Sequence, residues 1–268
     1  MRRVVLKSLL AAAWTASLPG QVTQAATGPK LGVLMLHGKS PGSSRDPHFG
    51  SLRPRLEAQG WLVLMPDMPW SRTRYLEGHW DGAMLEITAH VQSLRDQGAE
   101  RVVLIGHSMG CPAAMGFAAR GGRADALVLL APGHIPYGYY HYPTLKAVHD
   151  SIDEARALVA AGKGDTRQNF VDINQGRRQT LLASARDYLS FFDPDSDADM
   201  GVTAPRLPAS LPVLTAIGEE DPLFANVRAY FVDKLPANPR SRFLAVKGGH
   251  LDTPKIAADA LIAWMQEL

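Results

Sequence analysis

The sequence has few of the features that define several large classes of protein. It contains one cysteine, which excludes an internal disulfide framework. The net charge is only +2, and no basic cluster is interleaved with aromatic residues, so a nucleic-acid partner is not expected. The apolar run Leu9–Leu18 is too short to span a bilayer, so we expect no stable membrane insertion. What remains is the composition of a soluble globular protein, 46% hydrophobic and 20% charged.

The amino terminus has the layout of a secretory signal peptide. Met1–Lys7 is basic, the apolar run follows, and Thr23–Ala25 places small residues before a cleavage point. The arginine pair near the start also resembles a bacterial twin-arginine signal, although the polar residue that usually precedes such a pair is absent. We therefore expect residues 1–25 to be removed, and a periplasmic or secreted mature domain to cover residues 26–268.

Strand and helix patterns alternate along most of this mature chain. Apolar runs such as Leu31–Leu36 and Arg101–Ile105 predict buried strands. Apolar residues at helical spacing predict helices over Phe49–Gln59, Met109–Arg120 and Leu223–Leu235. The alternation predicts an α/β fold, a mostly parallel sheet flanked by helices. Ligands bind to such sheets beyond the carboxyl ends of the strands.

The alternation stops between about residues 134 and 208. An aromatic loop, Ile135–Pro143, precedes two helical patterns at Thr144–Ala161 and Gly176–Ser190, and no strand is predicted here. We interpret this stretch, the cap insertion, as a small helical cap over the carboxyl edge of the sheet and not as a second domain.

A G-x-S-x-G motif, Gly106–Gly110, connects one predicted strand to a helical pattern. A serine at the apex of such a turn is held in a strained backbone conformation, and only glycine fits beside it. A serine hydroxyl becomes a nucleophile when a neutral imidazole takes its proton and a carboxylate holds that imidazole. His250 follows the last predicted strand and Asp221 the preceding one, so both reach the same edge as Ser108.

This order of residues, carried by the motifs LMLHGKS, IGHSMG, IGEEDP and GGH, resembles the α/β-hydrolase superfamily over nearly the whole mature chain. The resemblance implies that Ser108 is the nucleophile, His250 the base and Asp221 the orienting acid. It also implies an oxyanion hole built from the backbone N–H groups of Lys39 and Met109, whose side chains we expect to be dispensable. No metal or organic cofactor is expected.

Some assignments stay open at this point. Glu219 and Glu220 are alternatives to Asp221 as the acid. His37 begins the predicted oxyanion turn, where it either supports the loop or contacts substrate, and His107 is expected to point away from the site. Three tyrosines of the cap insertion either line a substrate pocket or pack the cap onto the sheet, namely Tyr137, Tyr139 and Tyr140.

Taken together, these patterns favour an exported serine hydrolase that cleaves the ester bond of a small or medium-sized molecule. Amidase or peptidase, thioesterase and carbon–carbon hydrolase activities use the same machinery, because function is set by the site and not by the fold. A non-catalytic accessory or binding protein is the alternative from another class. The sequence does not indicate an oligomeric state.

Overall fold

The computed structural model describes residues 30–268, so the predicted signal peptide lies outside the described residues. Within this range six parallel strands form one sheet, in the order β2-β1-β3-β4-β7-β8, and two antiparallel strands form a separate hairpin. The predicted fold class is therefore confirmed. The strands are β1 Leu31–Leu36, β2 Leu62–Leu64, β3 Arg101–Ser108, β4 Ala126–Pro132, β5 Arg167–Asn174, β6 Arg177–Ser184, β7 Val213–Gly218 and β8 Arg242–Val246.

Helices cover both faces of the sheet. The α-helices are α1 Pro47–Gly50, α2 Arg53–Glu57, α3 Trp80–Asp96, α4 Gly110–Ala119, α5 Pro136–His141, α6 Lys146–Ala160, α7 Ala185–Phe192, α8 Met200–Thr203, α9 Val227–Tyr230, α10 Thr253–Ile256 and α11 Ala258–Gln266. Short 3₁₀ turns lie at Pro143–Leu145, Ala204–Arg206 and Val232–Lys234.

The core is divided by the sheet into two clusters, because side chains alternate along each strand. On β1, Leu34 packs with α3, α4 and the cap insertion, whereas Val33 packs with α1, α2 and α11. All six residues of β1 are buried, as expected for a parallel strand covered on both faces. The centre of the sheet is consequently rigid, and its strand ends provide fixed positions for functional side chains.

The cap insertion leaves the sheet after β4 and returns at β7, which pairs directly with β4. The expectation that it contains no strand is wrong: β5 and β6 form an antiparallel hairpin, called the cap hairpin below, where a helix was predicted from Gly176. Its two-residue turn places Gln175 at φ 49° and Gly176 at φ 73°. A two-residue turn in which both residues have positive φ has the same twist as the two antiparallel strands that it joins. Exposed polar residues on both strands obscure the alternation in the sequence.

Two predicted helices are also interrupted. The stretch Phe49–Gln59 forms α1 and α2, with Pro54 in the first turn of α2, where its missing N–H costs no helical hydrogen bond. The stretch Leu223–Leu235 contains only α9 and a 3₁₀ turn, because Phe231 leaves the helical region at φ −146°. Within residues 30–268 no helix has both the length and the apolar character required to cross a membrane.

Candidate active site

The turn between β3 and α4 has the strained geometry that its motif predicts. Ser108 has φ 53°, in the left-handed region that residues other than glycine seldom occupy. A Cβ on Gly106 would lie 2.3 Å from the carbonyl oxygen of Gly110, and one on Gly110 would lie 1.9 Å from that of Leu36. Neither position accepts a side chain. The strain is stored in a turn that is packed tightly against β1, as is common at functional sites.

The acid and the base meet at the ends of β7 and β8. His250 Nδ1 lies 2.6 Å from Asp221 Oδ2, and the carboxylate is buried, with its other oxygen accepting the backbone N–H of Leu223 at 2.9 Å. The alternative acids Glu219 and Glu220 are exposed. The geometry therefore pairs His250 with Asp221, as the resemblance implies.

Gly133, directly after β4, completes this arrangement, and the sequence analysis assigned it no role. A Cβ built on Gly133 would lie 2.7 Å from Ser108 Oγ and 3.3 Å from His250 Cε1. The hydroxyl and the imidazole thus both reach the space beside this glycine. The residues around it are strained, with Ala131 at φ 43° and His134 at φ 57°. Its place at a strand end, between a proline and a histidine, is the signal that the sequence offered.

The loop after β1, residues 37–40 and called the oxyanion loop below, lies against the serine turn. A Cβ on Gly38 would lie 3.2 Å from Ser108 Cβ, so glycine permits this close approach. Within residues 30–268, the backbone N–H groups of Lys39 and Met109 have no protein acceptor. Two unengaged N–H groups beside a serine are what an oxyanion hole requires.

His37 supports this loop. The ring is wholly buried, the backbone N–H of Met68 donates to Nε2 at 3.1 Å, and Nδ1 donates to the carbonyl oxygen of Gly38 at 2.7 Å. Burial lowers the pKa of His37, so the neutral ring that these bonds need is favoured. Both ring nitrogens are in use, which favours the first of the two alternatives for His37, support of the loop.

His107 differs from its expected orientation away from the site. It donates from Nε2 to the backbone carbonyl of His250 at 3.2 Å, and the two rings lie 5.3 Å apart. On its other side the ring stacks on Phe49. Burial lowers the pKa of His107 to about 4, which keeps it a neutral donor near pH 7. His107 therefore supports the loop that carries His250.

The side chain of Lys39 is more constrained than the sequence analysis assumed. It is buried, its Nζ lies 2.7 Å from Asp172 Oδ1 on β5, and it donates to Tyr139 Oη at 3.3 Å. Tyr75 donates to the other oxygen of Asp172. Burial alone lowers the pKa of Lys39, but the carboxylate outweighs it and raises the pKa, so the ion pair is formed. No sequence pattern marked Asp172, because its strand was not predicted.

The three cap tyrosines do not share one pocket. Tyr139 is buried against Lys39. Tyr140 donates to Asp153 at 3.0 Å and stacks on His149, with ring centroids 4.2 Å apart. Tyr137 is half exposed and lines a separate cavity of about 490 Å³ with Tyr142, Asp199 and Tyr230, among others. Of the two alternatives, packing within the cap fits Tyr139 and Tyr140, whereas Tyr137 lines a different cavity.

Comparison with known proteins identifies the family. A model described as "Alpha/beta hydrolase family" matches residues 33–260. Two similar relatives are hydrolases named for 2-hydroxy-6-oxononadienedioate and 2-hydroxy-6-oxononatrienedioate. One, hydrolase 1 of Dechloromonas aromatica, is 29% identical over 225 residues, 73% of each chain. The other, from Paraburkholderia xenovorans, is 31% identical over 215 residues, 70% of each chain.

Among solved structures, Est1E from Butyrivibrio proteoclasticus with ferulic acid bound superposes with a TM-score of 0.61 at 16% identity, covering 89% of each chain. At this identity the likeness concerns the fold. The chain belongs to the α/β-hydrolase family. Its fold and its matches therefore define it as a hydrolase. Within the described residues no group of three or more His, Cys, Asp or Glu side chains is arranged to hold a metal ion.

Proposed function

We propose that this protein is a serine hydrolase that cleaves carboxylic ester bonds of small or medium-sized molecules through Ser108, His250 and Asp221. The observation that carries the proposal is the 2.6 Å contact between His250 and Asp221, with the strained Ser108 beside the same glycine as the imidazole. A carboxylate on Nδ1 fixes the tautomer whose Nε2 is free to accept a proton.

In the proposed mechanism, Ser108 Oγ attacks the ester carbonyl carbon while His250 Nε2 takes its proton. The backbone N–H groups of Lys39 and Met109 stabilise the tetrahedral oxyanion. His250 then protonates the leaving alcohol, and an acyl-enzyme remains on Ser108. Water, deprotonated by His250, then attacks the acyl carbon; the bond from that carbon to Ser108 Oγ breaks, the acid leaves, and His250 returns the proton to Oγ. Asp221 stabilises the imidazolium in both halves of the reaction.

Hydrolysis of a carbon–carbon bond is the second candidate, because two similar relatives carry names that specify dienedioates as what they hydrolyse. A dienedioate is a dicarboxylate and is bound best by unpaired cationic side chains. The buried cation of the oxyanion loop, Lys39, is already neutralised by Asp172. That pairing argues against a second carboxylate next to the loop, and so weighs against a dienedioate there.

Amidase, peptidase and thioesterase activities remain variants of the same proposal, since they differ in the leaving group that His250 must protonate. A binding or accessory protein is the alternative from another class. Such a protein would have no need of the buried carboxylate at His250 or of the strain at Ser108. These features argue for catalysis.

We further propose that the mature domain is exported, on the strength of the amino-terminal pattern alone. Fractionation of cells expressing the full chain, followed by amino-terminal sequencing, tests this. Recovery of a periplasmic or secreted form that begins near Ala26 is expected. An intact cytoplasmic chain would contradict it.

The experiment for the activity compares matched substrates that differ in one bond. Purified residues 26–268 are assayed on p-nitrophenyl esters of increasing acyl length and on the corresponding anilides and thioesters. For carbon–carbon cleavage the substrate is 2-hydroxy-6-oxononadienedioate, a diketone in its keto form. We expect the highest kcat/KM on an ester. A preference for the diketone of tenfold or more would overturn the ester assignment and favour the second candidate.

A further inference from the structure

The cap hairpin contacts the oxyanion loop at two points. Asp172 binds the side chain of Lys39, the residue whose backbone N–H is the proposed oxyanion donor, at 2.7 Å. Two residues along the same strand, Asn174 Nδ2 donates to the backbone carbonyl of Ser40 at 2.5 Å. Both contacts are made by one strand, β5, to adjacent residues of one loop. The cap hairpin therefore constrains the loop on both its side chain and its backbone.

The oxyanion loop is also held by the segment after β2. The backbone N–H of Ser40 donates to the carbonyl oxygen of Trp70 at 3.0 Å, and Trp70 Nε1 donates to the carbonyl oxygen of His37 at 2.7 Å. These bonds come from the body of the fold and the hairpin bonds from the cap insertion. The orientation of the Lys39 N–H is thus set by contacts from two separate parts of the chain.

The Asp172 contact is strong enough to position a loop. Asp172 is fully buried, and it accepts from Tyr75 as well as from Lys39. A buried ion pair cannot be broken by a small movement without leaving a charge that lacks its partner in low dielectric. The Nζ atom of Lys39 also lies over the rings of Tyr139 and Phe192, at 5.4 and 5.6 Å from their centroids. The charged end of Lys39 is accordingly held by an ion pair, a hydrogen bond and two aromatic rings.

We infer that the cap hairpin positions the oxyanion hole, with Asp172 and Asn174 as positioning residues that act through Lys39 and Ser40. The inference rests on the proposed function and deepens it. It gives the cap insertion a part in transition-state stabilisation, beyond the covering and pocket-lining parts considered from its sequence. It also makes the side chain of Lys39 relevant to a step in which only its backbone takes part.

The test uses two substitutions, each with a matched control on an exposed site. Asn174→Ala removes one hydrogen bond to the loop, and Asn169→Ala alters an exposed asparagine on the same strand. Asp172→Asn removes the carboxylate charge, and Asp165→Asn alters an exposed aspartate that pairs with Arg186 at 3.3 Å. Asn174→Ala keeps the experiment informative if loss of the buried charge prevents folding, because it removes no buried charge.

Each variant is measured for kcat and KM on the best ester and for affinity toward a trifluoromethyl ketone of the same acyl group. This ketone forms a tetrahedral adduct whose oxyanion occupies the hole. Losing an oxyanion donor outright costs roughly 10²–10³-fold in kcat, so a displaced donor should cost about 10-fold in Asn174→Ala and up to about 100-fold in Asp172→Asn. KM should change little, and ketone affinity should fall in proportion to kcat. A merely structural role would not produce this proportionality.

The outcomes separate the inference from the function on which it rests. If the parent protein turns over esters but Asn174→Ala keeps full kcat and ketone affinity, the hairpin does not position the hole and the inference is wrong. A loss confined to KM would also overturn it, since it would indicate a substrate contact. If the parent itself neither turns over esters nor binds the ketone, the proposed function has failed, and the inference fails with it.

Discussion

Alanine in place of Gly133 is the substitution that tests the site geometry most sharply. Its Cβ would lie 2.7 Å from Ser108 Oγ, whereas heavy atoms in contact sit about 3.5–4.0 Å apart. The distance is therefore too short by on the order of 1 Å, and displacement of a reacting group by about 1 Å lowers the rate roughly 100-fold. The contact is relieved only if the Ser108 hydroxyl rotates away or the loop after β4 moves. Either response removes Ser108 Oγ from the space that it shares with His250.

We therefore expect Gly133→Ala to lower kcat on the best ester by about 100-fold while the protein stays folded. Gly133 does not have a positive φ, so alanine brings no backbone strain of its own. Gly82→Ala is the control, because a Cβ there has no neighbour within 4 Å. Steady-state kinetics and thermal unfolding of both variants provide the readouts. Full activity in a folded Gly133→Ala variant would refute the placement of Ser108 beside this glycine.

Two other substitutions test the partners of His250. Asp221→Asn should lower kcat by roughly 10⁴-fold with KM nearly unchanged, because the amide no longer fixes the reactive tautomer of His250. Steady-state ester assays measure this loss, and a loss of kcat below tenfold would contradict the prediction. For His107, the folded pKa of about 4 lies below the unfolded value of 6.5, so the unfolded state binds the proton first and stability falls as pH drops from 6.5 to about 4. His107→Gln should keep the hydrogen-bond donor to the carbonyl oxygen of His250. Without the imidazole, the free energy of unfolding should fall by about 2–3 kcal/mol less between pH 7 and pH 4.5. Urea unfolding at pH 7 and pH 4.5 measures this, and an unchanged pH dependence would count against it.

The sheet and the proximity of Ser108, Asp221 and His250 were predictable from sequence for a common physical reason. Each depends on local signals: buried strands as apolar runs, and Ser108, Asp221 and His250 as polar residues directly after such runs. The carboxyl ends of parallel strands lie at one edge, so order along the chain was enough to bring the three residues together. The strained turn followed from two glycines around a serine.

The features that were missed depend on contacts between distant parts of the chain. Asp172 and Lys39 are 133 positions apart, and neither has a neighbour in sequence that indicates the ion pair. The sequence pattern predicted a helix over β6 and no element over β5, because both strands carry polar residues on their exposed face. The role of Gly133 arises from its distance to Ser108 Oγ, whereas the local pattern marks it only as a residue at a strand end.

Labelling by a fluorophosphonate probe tests the central claim most directly, because the probe reacts with an activated serine whatever the natural substrate is. The mature protein and Ser108→Ala are treated in parallel, with turnover of p-nitrophenyl esters recorded on the same samples. We predict labelling and turnover in the parent and neither in Ser108→Ala. A folded parent protein that shows no labelling and no turnover would contradict the account and favour a binding or accessory role.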